Sequence, residues 1–267
     1  MHDARDLSVV YRTVQFSEGA SRRMRSRQIS AARDEITASL RVLADGKRSN
    51  LTDEEERVLA AWPAGTSSDD LTKAIDQVRF QLGQSDRYRA GYIRSGRWRS
   101  YINNVLRQEG VPEELVALPH VESSFNPAAY SRVGAAGMWQ FTRSTGLRYM
   151  RIDHVVDERR DPYLATVAAA RLLKNNYDVL QNWALAITAY NHGQSGMRNA
   201  VRTTGTDQIE VILREYKGRA FAFASRNFYV AFLAASDVDS NPEQYFGPLT
   251  MEAEAGYVIA EIPDFVL

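Results

Sequence analysis

The residues that could do chemistry gather around Ala117-Leu118-Pro119-His120-Val121-Glu122-Ser123-Ser124-Phe125-Asn126-Pro127. Glu122 closes an apolar run there. Counting back four and seven residues reaches Leu118 and Leu115, so on a helix Glu122 shares a face with leucines. A carboxyl group on such a face loses hydration, which raises its pKa and keeps a proton available near neutral pH. That is what a general acid requires. The structural alternative is a glutamate that caps or anchors the next turn. Downstream, Ser131 and Gln140 offer neutral hydrogen-bonding groups and Trp139 an aromatic surface. The run Gly134-Ala135-Ala136-Gly137 lets backbone approach a neighbour or a ligand closely. Tyr190 and Asn191 stand near the end of a later apolar helix. Taken singly, Ser131 reads equally as a cap or turn residue, Tyr190 as core, and Gln140 as nothing in particular.

Other chemistries are poorly served. With no cysteine, thiolate catalysis, disulfides and zinc-cysteine sites are excluded. The histidines, His2, His120, His154 and His192, are scattered and form no His-Glu-x-x-His helix, so neither a metal nor any other cofactor is expected. Gly193-Gln194-Ser195-Gly196 lacks the spacing of a nucleophile elbow. The 33 basic and 33 acidic side chains cancel, which removes the general electrostatic argument for nucleic acid. One segment, Arg87-Tyr88-Arg89-Ala90-Gly91-Tyr92-Ile93-Arg94 through Arg99, interleaves arginine with aromatics. It could stack bases or sugars, but an amphipathic helix with surface arginines is the simpler reading.

The elements that must position these residues are helical. Ile36, Leu40 and Leu43 mark an amphipathic helix over 30–44, preceded by an arginine-rich arm or helix start. Thr52-Asp53-Glu54-Glu55 has the form of a capping box. Pro63 to Ser68 is the best linker candidate, and a long helix carrying Leu71, Ile75, Val78 and Leu82 should follow it. Pro112-Glu113-Glu114 opens the helix that leads to Glu122, with Pro119 inside as a kink. Asp161-Pro162 starts a helix with Leu164, Ala168 and Leu172 on one face. Trp183, Ala186, Ile187 and Tyr190 share the buried side of the next, and 224–235 forms the last strong helix. Gly256 to Ile262 reads as strand-like, and the apolar Phe265-Val266-Leu267 suggests a longer natural protein. Hydrophobic content of 44% suits a soluble globular chain, no apolar run is long enough to span a bilayer, and no signal peptide is visible.

Three motifs in order carry a family resemblance: Glu122-Ser123-Ser124-Phe125-Asn126-Pro127, then Ser131 with Gly134 to Gln140, then Ala189-Tyr190-Asn191. The chain resembles the lytic transglycosylases, whose catalytic domain (the SLT domain) has the goose-type lysozyme fold. Within them it looks closest to the membrane-bound murein transglycosylase D group, through Ser95-Gly96-Arg97, Val156 to Pro162 and Phe223 to Tyr229. The similarity runs from about residue 80 to about residue 235. It implies a mainly α protein with a lysozyme-like helical domain at 81–236, an N-terminal helical extension at 1–80 and a short irregular or strand-like tail at 237–267. The extension is expected to pack on the catalytic domain, because its apolar faces need a partner.

The resemblance also assigns roles. Glu122 matches the sole catalytic acid and base, and Ser131 the serine that orients the substrate's acetamido group. Gln140, Tyr190 and Asn191 line the cleft, with Tyr229 as a looser match. Peptidoglycan glycan strands are the implied partner and the periplasm or cell envelope the implied location. A monomer without nucleic acid is expected, and any membrane attachment would lie in a segment outside this sequence. LysM repeats and a lipidated cysteine are absent, and His192 stands where many relatives carry a small residue. No acid lies between Glu122 and Asp153, whereas ordinary glycosidases use two carboxyl groups. The implied route closes the muramoyl C6 hydroxyl onto C1, giving a 1,6-anhydro end. A lysozyme-type hydrolase using Asp153, Asp157, Glu158 or Asp161 as base remains open, as does a non-catalytic glycan-binding module.

Overall fold

The computed structural model describes residues 1–256. The chain divides into two compact units, Met1–Gly83 and a second that begins at Gln84. It is mainly α-helical, as the periodicities indicate.

In the first unit, helix α1 (Arg22–Ala44) begins at the arginine-rich stretch itself, where the Ser21 side chain accepts from the Met24 N–H. Its stripe of Ala32, Ile36, Leu40 and Leu43 packs against Val58 of α2 (Asp53–Ala60) and Leu71 and Ala74 of α3 (Ser68–Ala74). The apolar face of α1 therefore has its partner within the unit. Thr52 and Glu55 form the expected capping box. Two expectations fail. Pro63 to Ser68 is a turn inside the unit, with Ser67 capping α3, rather than a linker. The long helix stops at Ala74 and passes through a 3-10 turn at Ile75–Gln77. Val78–Arg79 (β2) then pairs antiparallel with His2–Asp3 (β1). A β-branched residue there suits a strand, and the pairing partner lies too far back in the chain for periodicity to reveal it.

The second unit opens with α4 (Ser85–Ser95) and α5 (Arg99–Gln108). The run to Glu122 is not one helix. A 3-10 turn, Glu113–Ala117, hands over to α6 (Leu118–Glu122). Pro119 cannot donate to the Leu115 carbonyl, and the Leu118 N–H takes that acceptor instead. A long loop and the short α7 (Arg143–Gly146) follow. Next come α8 (Pro162–Leu180), α9 (Trp183–His192), α10 (Gln194–Thr204) and α11 (Ile209–Glu215). The Asp161 cap of α8 is as expected, but Leu164 is exposed. The buried line of α8 is Ala165, Ala168, Ala169, Leu172 and Leu173.

The final helix of the sequence reading is split at Asn227 into α12 (Phe223–Arg226) and α13 (Phe228–Ser240). Helical backbone thus runs past 236, and α14 (Pro242–Phe246) adds to it. Beyond α14 the chain runs back over the α4–α5 junction. The Glu252 N–H donates to the Ile93 carbonyl at 2.8 Å and the Ala255 N–H to the Arg97 carbonyl at 3.0 Å. The strand-like piece, from Tyr257 onward, and the terminal Phe265-Val266-Leu267 lie outside the described residues. The main core joins Leu115, Leu118, Phe125, Trp139, Ala169, Leu173, Ile187 and Phe228. Among the described residues no helix is long and apolar enough to cross a membrane.

Candidate active site

Glu122 ends α6 on the face shared with the buried Leu115 and Leu118. It is half-buried, and among the described residues its carboxyl has no hydrogen-bond or ion-pair partner. Burial alone pushes its pKa up to about 8. Such a group holds its proton at neutral pH and can give it away, because nothing ties the carboxyl down.

The turn that follows is strained. Ser124 and Phe125 both adopt left-handed backbone, with φ of 54° and 56°, a conformation that costs non-glycine residues roughly 1 kcal/mol or more each. Arg94 of α4 holds the turn, donating Nε to the Phe125 carbonyl at 2.9 Å and Nη2 to the Ser124 carbonyl at 2.7 Å. Gly91, one turn earlier, lets α4 come this close, since a Cβ there would sit 2.8 Å from the Ser124 carbonyl oxygen. The Ser123 hydroxyl donates to the Met138 carbonyl at 2.7 Å, tying the end of α6 to the next loop.

That loop, 130–141, is folded on itself. Bridges link Tyr130 to Ala136 and Ala136 to Phe141. Ser131 Oγ accepts from the Ala135 N–H at 2.9 Å. The Gln140 amide donates to the Gly137 carbonyl at 2.8 Å, and Gln140 itself has φ of 50°. The close approach expected at the small residues is to protein backbone: a Cβ on Gly137 would lie 1.7 Å from the Arg159 carbonyl oxygen. Arg159 is 3% exposed and donates to the carbonyls of Gly134 at 2.8 Å and Phe141 at 3.1 Å while pairing with Asp157. Trp139 is not the aromatic surface expected from the sequence. It is fully buried, its indole N–H donating to Thr166 Oγ1 at 2.9 Å, because the loop folds inward onto α8.

The α9 residue Tyr190 completes the cluster. Its hydroxyl donates to the Trp139 carbonyl at 2.8 Å, and the phenol's pKa is driven well up by burial and by the neighbouring Glu122 charge. The structure thus brings Glu122, the Met138–Gln140 stretch and Tyr190 together. Asn191 lies one residue on, its side-chain oxygen accepting from the Ser225 hydroxyl at 2.9 Å. Tyr229 packs between the main core and the cluster of α9 to α11. Among the described residues no hydrogen bond links Ser131, Asn191 or Tyr229 to Glu122. His192 packs its ring 4.9 Å from that of Phe221 and against Gly196.

The acids offered as a second catalytic group are all engaged elsewhere. Asp153 accepts from the N–H groups of Val155 and Val156 and from Arg151, which hold its pKa well down. Asp157 is held down by Arg159. Glu158 accepts from the Arg151 N–H at 2.6 Å, and Asp161 caps α8. Sequence reasoning missed Arg94 and Arg159, which fasten the two loops. The sequence pattern places Arg94 on a solvated helix face, whereas it turns inward. The glycine three residues before it, Gly91, was the available signal.

The family model described as the transglycosylase SLT domain matches residues 100–213, a span holding Glu122, Ser131, Gln140, Tyr190 and Asn191 but not Tyr229. Membrane-bound lytic murein transglycosylase D of Escherichia coli (strain K12) is 28% identical over 193 residues, 64% of this chain and 40% of that one. This chain therefore spans less than half of that relative. A protein of Alteromonas sp. (strain M-1) named for tributyltin chloride resistance is 31% identical over 103 residues, 38% of this chain and 50% of that one. Among solved structures, an inactive mutant of lytic transglycosylase Slt from Pseudomonas aeruginosa aligns with 17% identity and a TM-score of 0.47, covering 85% of this chain and 34% of that one. Over residues 100–213 this chain is similar to the transglycosylase SLT domain.

Proposed function

We propose that this chain is a peptidoglycan lytic transglycosylase. It cleaves the β-1,4 bond between N-acetylmuramic acid and N-acetylglucosamine and leaves a 1,6-anhydromuramoyl end. Glu122 protonates the leaving oxygen, and the substrate's 2-acetamido carbonyl stabilises the positive charge at C1. The resulting Glu122 carboxylate then takes the proton from the muramoyl C6 hydroxyl as that oxygen closes onto C1. No water is consumed. Proton transfer of this kind contributes about 10²–10⁴-fold, with positioning and sugar distortion supplying the rest.

The observation that carries this reading is the unpartnered, desolvated Glu122 with its pKa pushed up to about 8. The engagement of Asp153, Asp157, Glu158 and Asp161 in their own loop favours this route over hydrolysis with a second carboxylate. Ser131 orients the acetamido group. Gln140, Tyr190, Asn191 and Tyr229 line the cleft. The substrate class places the enzyme in the periplasm or cell envelope. The test is mass spectrometry of fragments released from purified sacculi. Fragments lacking one water and bearing anhydro ends are expected. Reducing ends would make the enzyme a hydrolase, and release of nothing would leave a binding module.

A further inference from the structure

His120 lies two residues before Glu122 on α6 and its side chain is fully buried. Two residues on an α-helix project roughly 200° apart, so the imidazole and the carboxyl leave the helix on opposite sides. The imidazole stacks on Tyr88 of α4 with ring centroids 4.1 Å apart and planes 10° apart, and meets Phe125 edge-on at 4.6 Å. Its Nε2 lies 3.0 Å from Oδ1 of Asp239 on α13. Arg99 of α5 grips the same carboxylate with both terminal nitrogens, at 2.9 and 2.5 Å. The Tyr88 hydroxyl donates to the Ala235 carbonyl at 2.5 Å, closing the ring of contacts onto α13.

The protonation state follows from these contacts. Nδ1 is buried without a hydrogen-bond partner, so a proton there would be an unsatisfied buried charge. The imidazole is neutral and donates Nε2–H to Asp239. Burial lowers the His120 pKa, and the Asp239 carboxyl is held down by His120 and Arg99 against its own burial. Both states therefore persist across the neutral range. The ionisable groups facing His120 are Tyr88, Tyr92, Arg94, Arg99 and Asp239. Among the described residues Tyr190 is the ionisable group that feels the Glu122 charge.

A helix of five residues has little rigidity of its own. We infer that His120, Asp239 and Arg99 form a positioning clamp that fixes the rotation of α6 and so keeps the Glu122 carboxyl in its dry setting. His120 is a positioning residue: it acts on the reaction only through Glu122. The inference rests on the proposed role of Glu122 as acid, and it adds a connection to Asp239 of α13 and to Arg99, both outside the SLT match.

The experiment is a carbon-13 NMR titration of glutamate-labelled full-length chain, with the Glu122 resonance assigned by its loss in Glu122→Gln. His120→Phe keeps the stacking on Tyr88 and the contact with Phe125 but removes the hydrogen bond to Asp239. In that variant the Glu122 midpoint is expected to fall by about one pH unit or more as water reaches the carboxyl. On sacculi its kcat should fall roughly tenfold with KM changed less than about twofold. His120→Gln, whose amide reaches Asp239, should restore most of both. Arg99→Lys keeps the charge but loses the two-pronged grip, and should move the midpoint the same way by less. A folded His120→Phe protein with the wild-type Glu122 midpoint overturns the clamp. If that variant does not fold, an unchanged midpoint in Arg99→Lys overturns it equally. The titration needs no substrate, so an enzyme inactive on peptidoglycan defeats the functional proposal while the clamp is still decided.

Discussion

Two regions of the second unit treat the same functional group in opposite ways. At the end of α6, Glu122 is desolvated and left without a partner, and its pKa rises to about 8. In the 151–161 segment, Asp153 and Asp157 are surrounded by N–H groups and guanidinium, and their pKa values fall. The difference lies in which atoms are allowed to reach the carboxyl. At the α6 end, Ser123, Arg94 and Gln140 spend their donors on backbone carbonyls and none on Glu122. Along 151–161, backbone N–H groups and arginines point at the acids. Chemistry is assigned by a withheld hydrogen bond as much as by the residue type.

Removing the unpartnered carboxyl breaks the comparison most severely. Glu122→Gln should lower release of anhydromuropeptides by at least about 10²-fold, measured on sacculi. The same variant should be no less stable at neutral pH, because the wild-type carboxyl must take up a proton on folding there and the amide need not. The sign with pH is definite. A folded-state pKa above the unfolded value of about 4.3 means stability is highest below that pH and lost as pH rises towards 8. The melting temperature of Glu122→Gln relative to the wild type should therefore climb between about pH 5 and pH 8. For catalysis by the free enzyme, kcat/KM should fall above about pH 8, as the acid loses its proton.

The paired region fails differently. Arg159 is the donor that satisfies two loop carbonyls and Asp157 together, so Arg159→Ala should cost about 2–3 kcal/mol in thermal or denaturant unfolding. Activity should drop with it, because the loop that carries Gln140 loses its anchor. A smaller effect is expected at Tyr190, beside Glu122. Tyr190→Phe leaves the Trp139 carbonyl without its donor and should cost about 1 kcal/mol. Its kcat should fall roughly tenfold while KM changes little.

The reach of the sequence follows the distance over which each feature is determined. Glu122, Leu118 and Leu115 share a face because of helical period, and that face is buried as expected. The Asp161 cap and the Thr52–Glu55 box are equally local. Arg94 and Arg99 looked like solvated arginines because their partners are far along the chain: the carbonyls of 124 and 125, and Asp239. Val78–Arg79 read as helix because its pairing partner is His2–Asp3. Ser131 and Gln140 were legible as hydrogen-bonding groups. Their use within the loop was not, since it depends on a turn that leaves Gln140 with positive φ.

The smallest expected effect carries the sharpest distinction. Asp153 is the first acid after Glu122 in sequence, and a two-carboxylate mechanism would look to it first for the base. Its oxygens are already taken by Val155, Val156 and Arg151. Asp153→Asn should therefore leave the rate on sacculi within about threefold of wild type, with anhydro ends still the product. Its stability effect should appear only in acid. A carboxyl whose pKa is depressed in the folded state stabilises above the unfolded value of about 3.9 and loses that contribution as pH falls below it. The wild type should lose more stability than the variant below about pH 4, the reverse of the trend at Glu122. A large loss of rate in Asp153→Asn at neutral pH, with reducing ends left among the wild-type products, would place a second carboxylate in the reaction. It would also remove the contrast between a lone unpartnered acid and its fully engaged neighbours.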